Sequence, residues 1–441
     1  MSNNKNIPGP GLLKSLGYLL QMVGGDRGAV YRELFEKYGD IVSLRGPIKI
    51  AFLFHPEYVG HVLKENFLNY KKSISYKEFY PLIGQGLVTS EGKLWRTQRT
   101  LVRKDFRPQA IHAYIAEMDK ITKELINEIE SQLADRDKYD VNLIDMLGLH
   151  TYKIICRCLF NLEVGERELQ LQKHALGLER YTTKRIFSIL KWPLWVPTIA
   201  NLKLKKSLKI VNKVVGDIIE HAKEDLDQSS PFLRRLILSG IDQQQIRDEI
   251  VTFLIAGHET TSNALAWTIN LLATNPEVQQ KLIDQVADNY SGESLDIISL
   301  QKMSYVRNVV SESMRILPPV PFLSRQNINS DVIGGYKINK ETIVICAQAI
   351  THLDERFHKD AKQFNPDRFN LEMVKYSYFP FAEGPRKCIG EDFAIQEMMI
   401  FLIGFFQKFT VKLQDKFTPI PAIYITMKPK NGMLVSISSR N

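Results

Sequence analysis

From Gln243 to Thr274 apolar residues recur at helical spacing with no proline, and Asn275-Pro276 ends the run. A helix of about 30 residues is roughly 45 Å long. Such a helix has to cross the whole protein, so any fold for this chain is built around it. Further helices are predicted over Ile111–Leu133, Val141–Leu159, Ser304–Leu317 (stopped by Pro318-Pro319) and Ile389–Phe406. Trp192–Leu204 is interrupted by Pro193 and Pro197 and reads as a mobile connector between helices.

Strand signals are few. Asp40–Pro56 reads as a hairpin around Gly46-Pro47; short strands are predicted at "VIGGYKI" and "ETIVICAQ", and a terminal hairpin around Asn431-Gly432. The fold class is therefore mainly α with small β-sheets, the β-rich parts lying at roughly 40–56, 331–349 and 420–441. No repeat and no Gly/Ser- or Pro-rich linker divides the chain, which reads as a single domain over 1–441.

With 44% hydrophobic and 24% charged residues, the composition fits a soluble globular protein and excludes collagen-like, disordered and disulfide-scaffold classes. The formal charge of +9 gives a basic surface that suits an acidic protein, an anionic membrane or nucleic acid; no nucleic-acid motif accompanies it. The four cysteines, Cys156, Cys158, Cys346 and Cys388, form no C-x-x-C, which fits a reducing compartment. The amino-terminal stretch has no apolar run long enough to span a bilayer and no secretory leader. The expectation is a cytoplasmic protein without a transmembrane anchor, with Leu12, Leu13, Leu16, Leu19 and Leu20 forming a helix face docked on the body.

The chemistry gathers at "FAEGPRKCIGEDF", Phe381–Phe393. Cations and a helix start both favour a thiolate, and Cys388 has Arg386, Lys387 and a helix beginning near Gly390 beside it. Gly384 and Gly390 allow a tight loop or close approach to a flat group, and Phe381 is a bulky apolar wall. A thiolate with no second Cys or His nearby suits one axial bond to a haem iron; a buried, inert cysteine is the alternative. In "AGHETT", Ala256–Thr261, Ala256-Gly257 thins the long helix, and the Thr260 hydroxyl can bond to a preceding carbonyl and open it locally. Glu259 can carry protons. His258-Glu259 also suggests a zinc protease, but Ser262 stands where its second histidine is required.

The spacing F-x-x-G-x-R-x-C-x-G resembles the haem-binding loop of the cytochrome P450 superfamily, in its soluble, bacterial type, and the resemblance runs over nearly the whole chain. It implies the fold of that family, with a haem b between the long helix and the Cys388 loop, and Cys388 as the iron ligand. It implies that Glu259 and Thr260 relay protons to dioxygen. Glu312 and Arg315, in "ESMR", with Arg368 in "FNPDRF", match the family's structural ion network. Trp95 and Arg99 in "WRTQR", with Arg386 and Arg325, look like partners of the haem propionates. Ala382-Glu383 stand where glycine is frequent, a departure that leaves the fixed positions untouched.

By the same resemblance the chain is expected to be a monooxygenase that inserts one oxygen atom into an apolar substrate, a fatty acid, terpenoid or steroid-like molecule. Tyr76, Phe79, Leu82, Leu87, Phe253, Val320–Leu323 with Phe322, and Ile420–Ile423 are candidate pocket walls. No G-x-G-x-x-G and no ferredoxin-like cysteine run is present, so electrons are expected from a separate acidic ferredoxin or flavodoxin rather than a fused reductase. Arg103, Lys104, Arg386 and Lys387 are candidates for its docking, whereas the lysines within 202–209 read as a solvated face. A monomer is expected. A peroxide-driven peroxygenase of the same fold and a non-catalytic helical binding protein are the alternatives.

Overall fold

The computed structural model describes residues 5–440 except 26, 47, 189 and 190. The chain divides into two compact units. The first comprises Met1–Tyr76, Ser311–Cys388 and Ile420–Lys430; the second comprises Lys77–Val310, Ile389–Pro419 and Asn431–Asn441.

The first unit is built on a five-stranded sheet in the order Ile41–Leu44, Ile50–Leu53, Ile343–Cys346, Leu323–Asn327, Tyr70–Lys72. The pairing of Ile50–Leu53 with Ile343–Cys346 is parallel and the others are antiparallel. Alternation along the strands decides which core each side chain joins. Val42, Leu44, Phe52 and Phe54 pack with Tyr31 and Leu34, while Ile41, Leu53, Val344 and Cys346 pack with Val59, Leu63 and Phe379. Val42 is paired with Phe52 in the expected hairpin; Pro47 of its turn lies outside the described residues. "VIGGYKI" forms a second hairpin, with Gly334 and Gly335 at φ 56° and 80° in its turn.

The second unit is organised by the long helix, whose bounds are Gln243–Thr274. Asp242 caps it by accepting from the Gln245 N–H at 2.8 Å, and Pro276 opens the next helix. Of its 32 residues 21 are buried, including Arg247, Asp248, Glu249 and Glu259, so it runs through the interior and not along a surface. It packs on Leu143–Phe160, on Ile199–Glu224 and on the strand Phe409–Leu413. The last long helix is Glu391–Lys408.

Four expectations are corrected. The connector read over Trp192–Leu204 ends earlier, because Ile199–Glu224 is one helix, capped by the Thr198 hydroxyl, which accepts from the Asn201 N–H at 3.1 Å. The chain over Tyr139–Asn142 is a strand, and the helix predicted from Val141 begins at Leu143, capped by the Asn142 side chain. The terminal hairpin does not form around Asn431-Gly432. Pro421–Ile423 pairs with Met427–Pro429, and Leu434–Ser439 lies between Tyr139–Asn142 and Phe409–Leu413. That register buries Val435 and Ile437, which a local hairpin could not. The helix Leu12–Gly24 buries Ser15, Tyr18 and Met22, leaving Leu12, Leu13, Leu16 and Leu20 exposed. Of the five leucines only Leu19 packs on the body, beside Tyr18 and Met22, and Ser15 anchors the same face through bonds to the Pro10 carbonyl and the Arg45 N–H.

Candidate active site

Three of the four cysteines are buried, and burial pushes the Cys156 and Cys346 thiols up to about 12 and Cys158 well above the usual thiol range. Cys388 is exposed. Only this sulfur is placed to ligate something outside the folded chain.

Its loop is held by backbone. The Cys388 N–H donates to the Phe381 carbonyl at 2.8 Å and the Lys387 N–H to that of Gly384 at 3.0 Å. Gly384 has φ +74°, and a Cβ there would stand 2.1 Å from the Leu63 carbonyl oxygen. Glycine is thus required both by conformation and by the stretch of backbone against which the loop lies. Ala382 has φ 62°, so the substituted position is one where the chain enters the left-handed region. Phe381 and Arg386 are half-buried. Gly390 is the cap residue of Glu391–Lys408.

The first unit also assembles Glu312, Arg315 and Arg368. Arg315 donates from Nε and Nη2 to both Glu312 oxygens at 2.7 and 2.8 Å, and Arg368 Nε donates to Oε1 at 3.3 Å. Arg315 Nη1 also donates to the His352 carbonyl, and the Asn365 N–H to Glu312. Glu312 and Arg315 are wholly buried and every charge has partners. Arg325 is buried and donates to the Ser324 carbonyl. Phe322 meets Tyr31 edge-on, Val320 and Tyr76 are half-buried, and Ile420 is exposed.

In the second unit the long helix, between its exposed ends, reaches the surface at Ala256. Ala256 is exposed although Val251–Leu254 and His258-Glu259 on either side are buried. Thr260 Oγ1 donates to the Ala256 carbonyl at 2.8 Å, within a helix that stays continuous there. Gly257 has a packing reason: a Cβ would lie 2.6 Å from Cδ1 of Ile155 on Leu143–Phe160. Glu259 is 6% exposed, next to the opening. Trp95 is buried and Arg99 half-buried on the helix Gly92–Val102. Leu82 and Leu87 are buried, the Leu87 N–H donating to Glu249, and Phe79 is half-buried. Phe253 is stacked on Phe106 at 5.4 Å and meets Phe232 at 4.9 Å, an aromatic core cluster.

These features fit a haem. An accessible sulfur sits on a braced loop, and an otherwise buried helix has an uncovered alanine beside a buried acid and a hydroxyl. Among the described residues no group of three His, Cys, Asp or Glu side chains could hold a metal ion; a haem iron held through one thiolate needs no such group. Sequence reasoning missed the π-helical turn His61–Glu65 that supplies the Leu63 carbonyl under Gly384. No periodicity marks such a turn; a glycine with a close backbone neighbour becomes visible only in three dimensions.

The family profile described as Cytochrome P450 matches residues 7–435. The chain belongs to the cytochrome P450 family, is an enzyme of its monooxygenase class, and has the mostly helical fold with small sheets. Similar proteins include Cytochrome P450 4V2 of Mus musculus, 29% identical over 93% of this chain and 84% of that protein. Protein LUTEIN DEFICIENT 5, chloroplastic, of Arabidopsis thaliana is 27% identical over 92% of this chain and 73% of its own length. Cytokinin hydroxylase of the same plant is 29% identical over 85% and 76%. The family implies a haem-thiolate cofactor, a substrate and a redox partner. Among the described residues no helix is long and apolar enough to cross a membrane.

Proposed function

We propose that the protein binds haem b through the Cys388 thiolate and hydroxylates or epoxidises an apolar substrate of the fatty-acid, terpenoid or steroid class. The observation that carries the reading is the accessibility of Cys388 on a backbone-braced loop while the other three thiols are buried and raised. Bound there, the haem supplies the chemistry that activates dioxygen and inserts one of its atoms into a C–H or C=C bond. The chain's own residues do the rest. Trp95, Arg99, Arg325 and Arg386 donate to the two propionates, because carboxylates taken from water need cationic or N–H partners. Phe381, Gly390, Ala256 and Gly257 give the cofactor apolar, low-relief contacts. Glu259 holds and passes protons, and the Thr260 hydroxyl, tethered to the Ala256 carbonyl, orients their delivery.

Tyr76, Phe79, Leu82, Leu87, Phe253, Val320, Phe322 and Ile420 provide the apolar character for such a substrate. Glu312, Arg315 and Arg368 hold structure and retain the cofactor. Electrons arrive from an acidic ferredoxin or flavodoxin; Arg103 and Lys104 of the second unit and Arg386 and Lys387 of the first supply the complementary charge.

The test is the spectrum of the reduced protein under carbon monoxide. A strongly red-shifted Soret band is expected, and Cys388→Ala is expected to abolish it while the folded protein persists. A band that survives the substitution overturns the assignment. Spin-state shifts on titration with a panel of fatty acids, terpenoids and steroids then identify the substrate class.

A further inference from the structure

The brace beneath the Cys388 loop leads to a residue that carries no assigned role. His61 begins the π-helical turn His61–Glu65, and two residues on, the Leu63 carbonyl is the group against which Gly384 lies. Single π-turns are rare and are found frequently at functional sites. This one is tied down at its first residue. His61 Nε2 donates to Asp331 Oδ2 at 2.9 Å, and the same oxygen accepts from Asn66 Nδ2 at 3.0 Å and Tyr70 Oη at 2.6 Å. The other Asp331 oxygen accepts from the Val332 N–H at 2.8 Å. One carboxylate therefore joins the start of the turn, the residue after it, the sheet strand Tyr70–Lys72 and the hairpin strand Asp331–Ile333. All of these lie in the first unit with Cys388.

We propose that His61 is a positioning residue for the thiolate loop, its ring bonded to Asp331 holding the turn, and through Leu63 the Gly384–Cys388 backbone, in the geometry that ligates iron. This rests on the haem-thiolate reading. The hydrogen bond from Asp331 raises the His61 pKa above its ordinary value, burial opposing and Asp331 and Glu65 adding charge attraction. Asp331 is held well below the usual carboxylate range: burial pushes it up, and the bonds from His61, Tyr70 and Val332 outweigh that. Other titratable or charged groups on the packed elements are Glu57 and Tyr58 on Pro56–Gly60, Lys64 and Glu65 on the turn, Tyr70, Lys71 and Lys72 on the sheet strand, Tyr336 and Lys337 on the strand paired with Asp331–Ile333, Arg386 on Gly384–Arg386, and Tyr376, whose hydroxyl reaches Glu65 at 3.4 Å. Asp331 stays ionised throughout the working range, so His61 is the member of its pair that changes charge. Because its pKa is higher folded than unfolded, its contribution is complete below the unfolded value of about 6.5 and is lost as pH rises through the folded value.

The experiment follows the carbon-monoxide spectrum of the reduced holoprotein across pH. The fraction in the red-shifted thiolate band is expected to fall in one step above the ordinary histidine range. His61→Gln, which keeps a donor to Asp331 but does not titrate, is expected to lose that step, whereas Tyr70→Phe keeps it. A step unchanged in His61→Gln, or no step in the wild type, overturns the proposal. Proton NMR of the diamagnetic carbonyl complex gives the His61 titration in the wild type directly; coincident midpoints support the coupling and separate ones overturn it. Cys388→Ala, expected to show no thiolate band at any pH, tests the haem-thiolate reading separately.

Discussion

Two buried glutamates, one in each unit, are held in opposite ways. In the first, Glu312 is wholly buried with two guanidinium groups and a backbone N–H on its oxygens. In the second, Glu397 on Glu391–Lys408 is 1% exposed, and neither of its oxygens has a hydrogen-bond partner among the described residues. Burial pushes the Glu397 carboxyl well above the usual carboxylate range. The same side chain at nearly the same burial is thus paired with cations in one place and, without a partner, pushed toward its protonated form in the other. Partners decide the state, because desolvating a lone carboxylate costs more than binding its proton.

The contrast is broken most severely by Glu312→Ala. It leaves Arg315, itself 0% exposed, without its counter-charge, and Arg368 without its bond to Glu312. Loss of one partner from a buried pair costs about 3–5 kcal/mol. The variant is expected to unfold at much lower urea and to retain little haem, measured by denaturation midpoint and cofactor-to-protein ratio. An unchanged midpoint would mean that the network is ornamental.

Glu259 is a third buried glutamate, and it differs from both by lying next to the exposed Ala256. If it serves in proton delivery, Glu259→Gln is expected to lower turnover by about 100-fold, with more reducing equivalents diverted from product. The folded stability should change far less than in Glu312→Ala. Product formed per NADPH consumed, with the partner reductase saturating, is the measurement. A variant that turns over normally removes Glu259 from the mechanism and makes its burial a packing matter.

How much of this was legible in the sequence depends on the reach of each interaction. The long helix could be read to its ends because apolar spacing, Asp242 and Asn275-Pro276 are local signals. The Phe381–Gly390 spacing pointed to the family for the same reason. The amino-terminal leucines misled because helical periodicity shows that a face is apolar and not whether anything covers it. The Asn431-Gly432 hairpin misled because good turn residues do not choose a strand's partner; Leu434–Ser439 finds its partners at Phe409–Leu413 and, far earlier in the chain, at Tyr139–Asn142. Gly384 was legible as a loop glycine, but its contact with Leu63 was not, and neither was the ion-free burial of Glu397.

Glu397 offers the finest test of the contrast. Its unfolded pKa is near 4.3, and folded it is higher, so between the two values the native state holds a proton that the unfolded chain has released. Stability contributed by that proton is therefore present below the unfolded pKa and declines as pH rises above it. Glu397→Met removes the titration and the unpartnered oxygens at similar volume. It is expected to exceed the wild type by about 1–3 kcal/mol near pH 4, where only the unpartnered oxygens are lost, and by a growing margin as pH rises above the unfolded value, read from denaturant midpoints at each pH. Curves that stay parallel would show that Glu397 has gained a partner in solution, and the difference between the two acids would then be one of partner identity and not of charge.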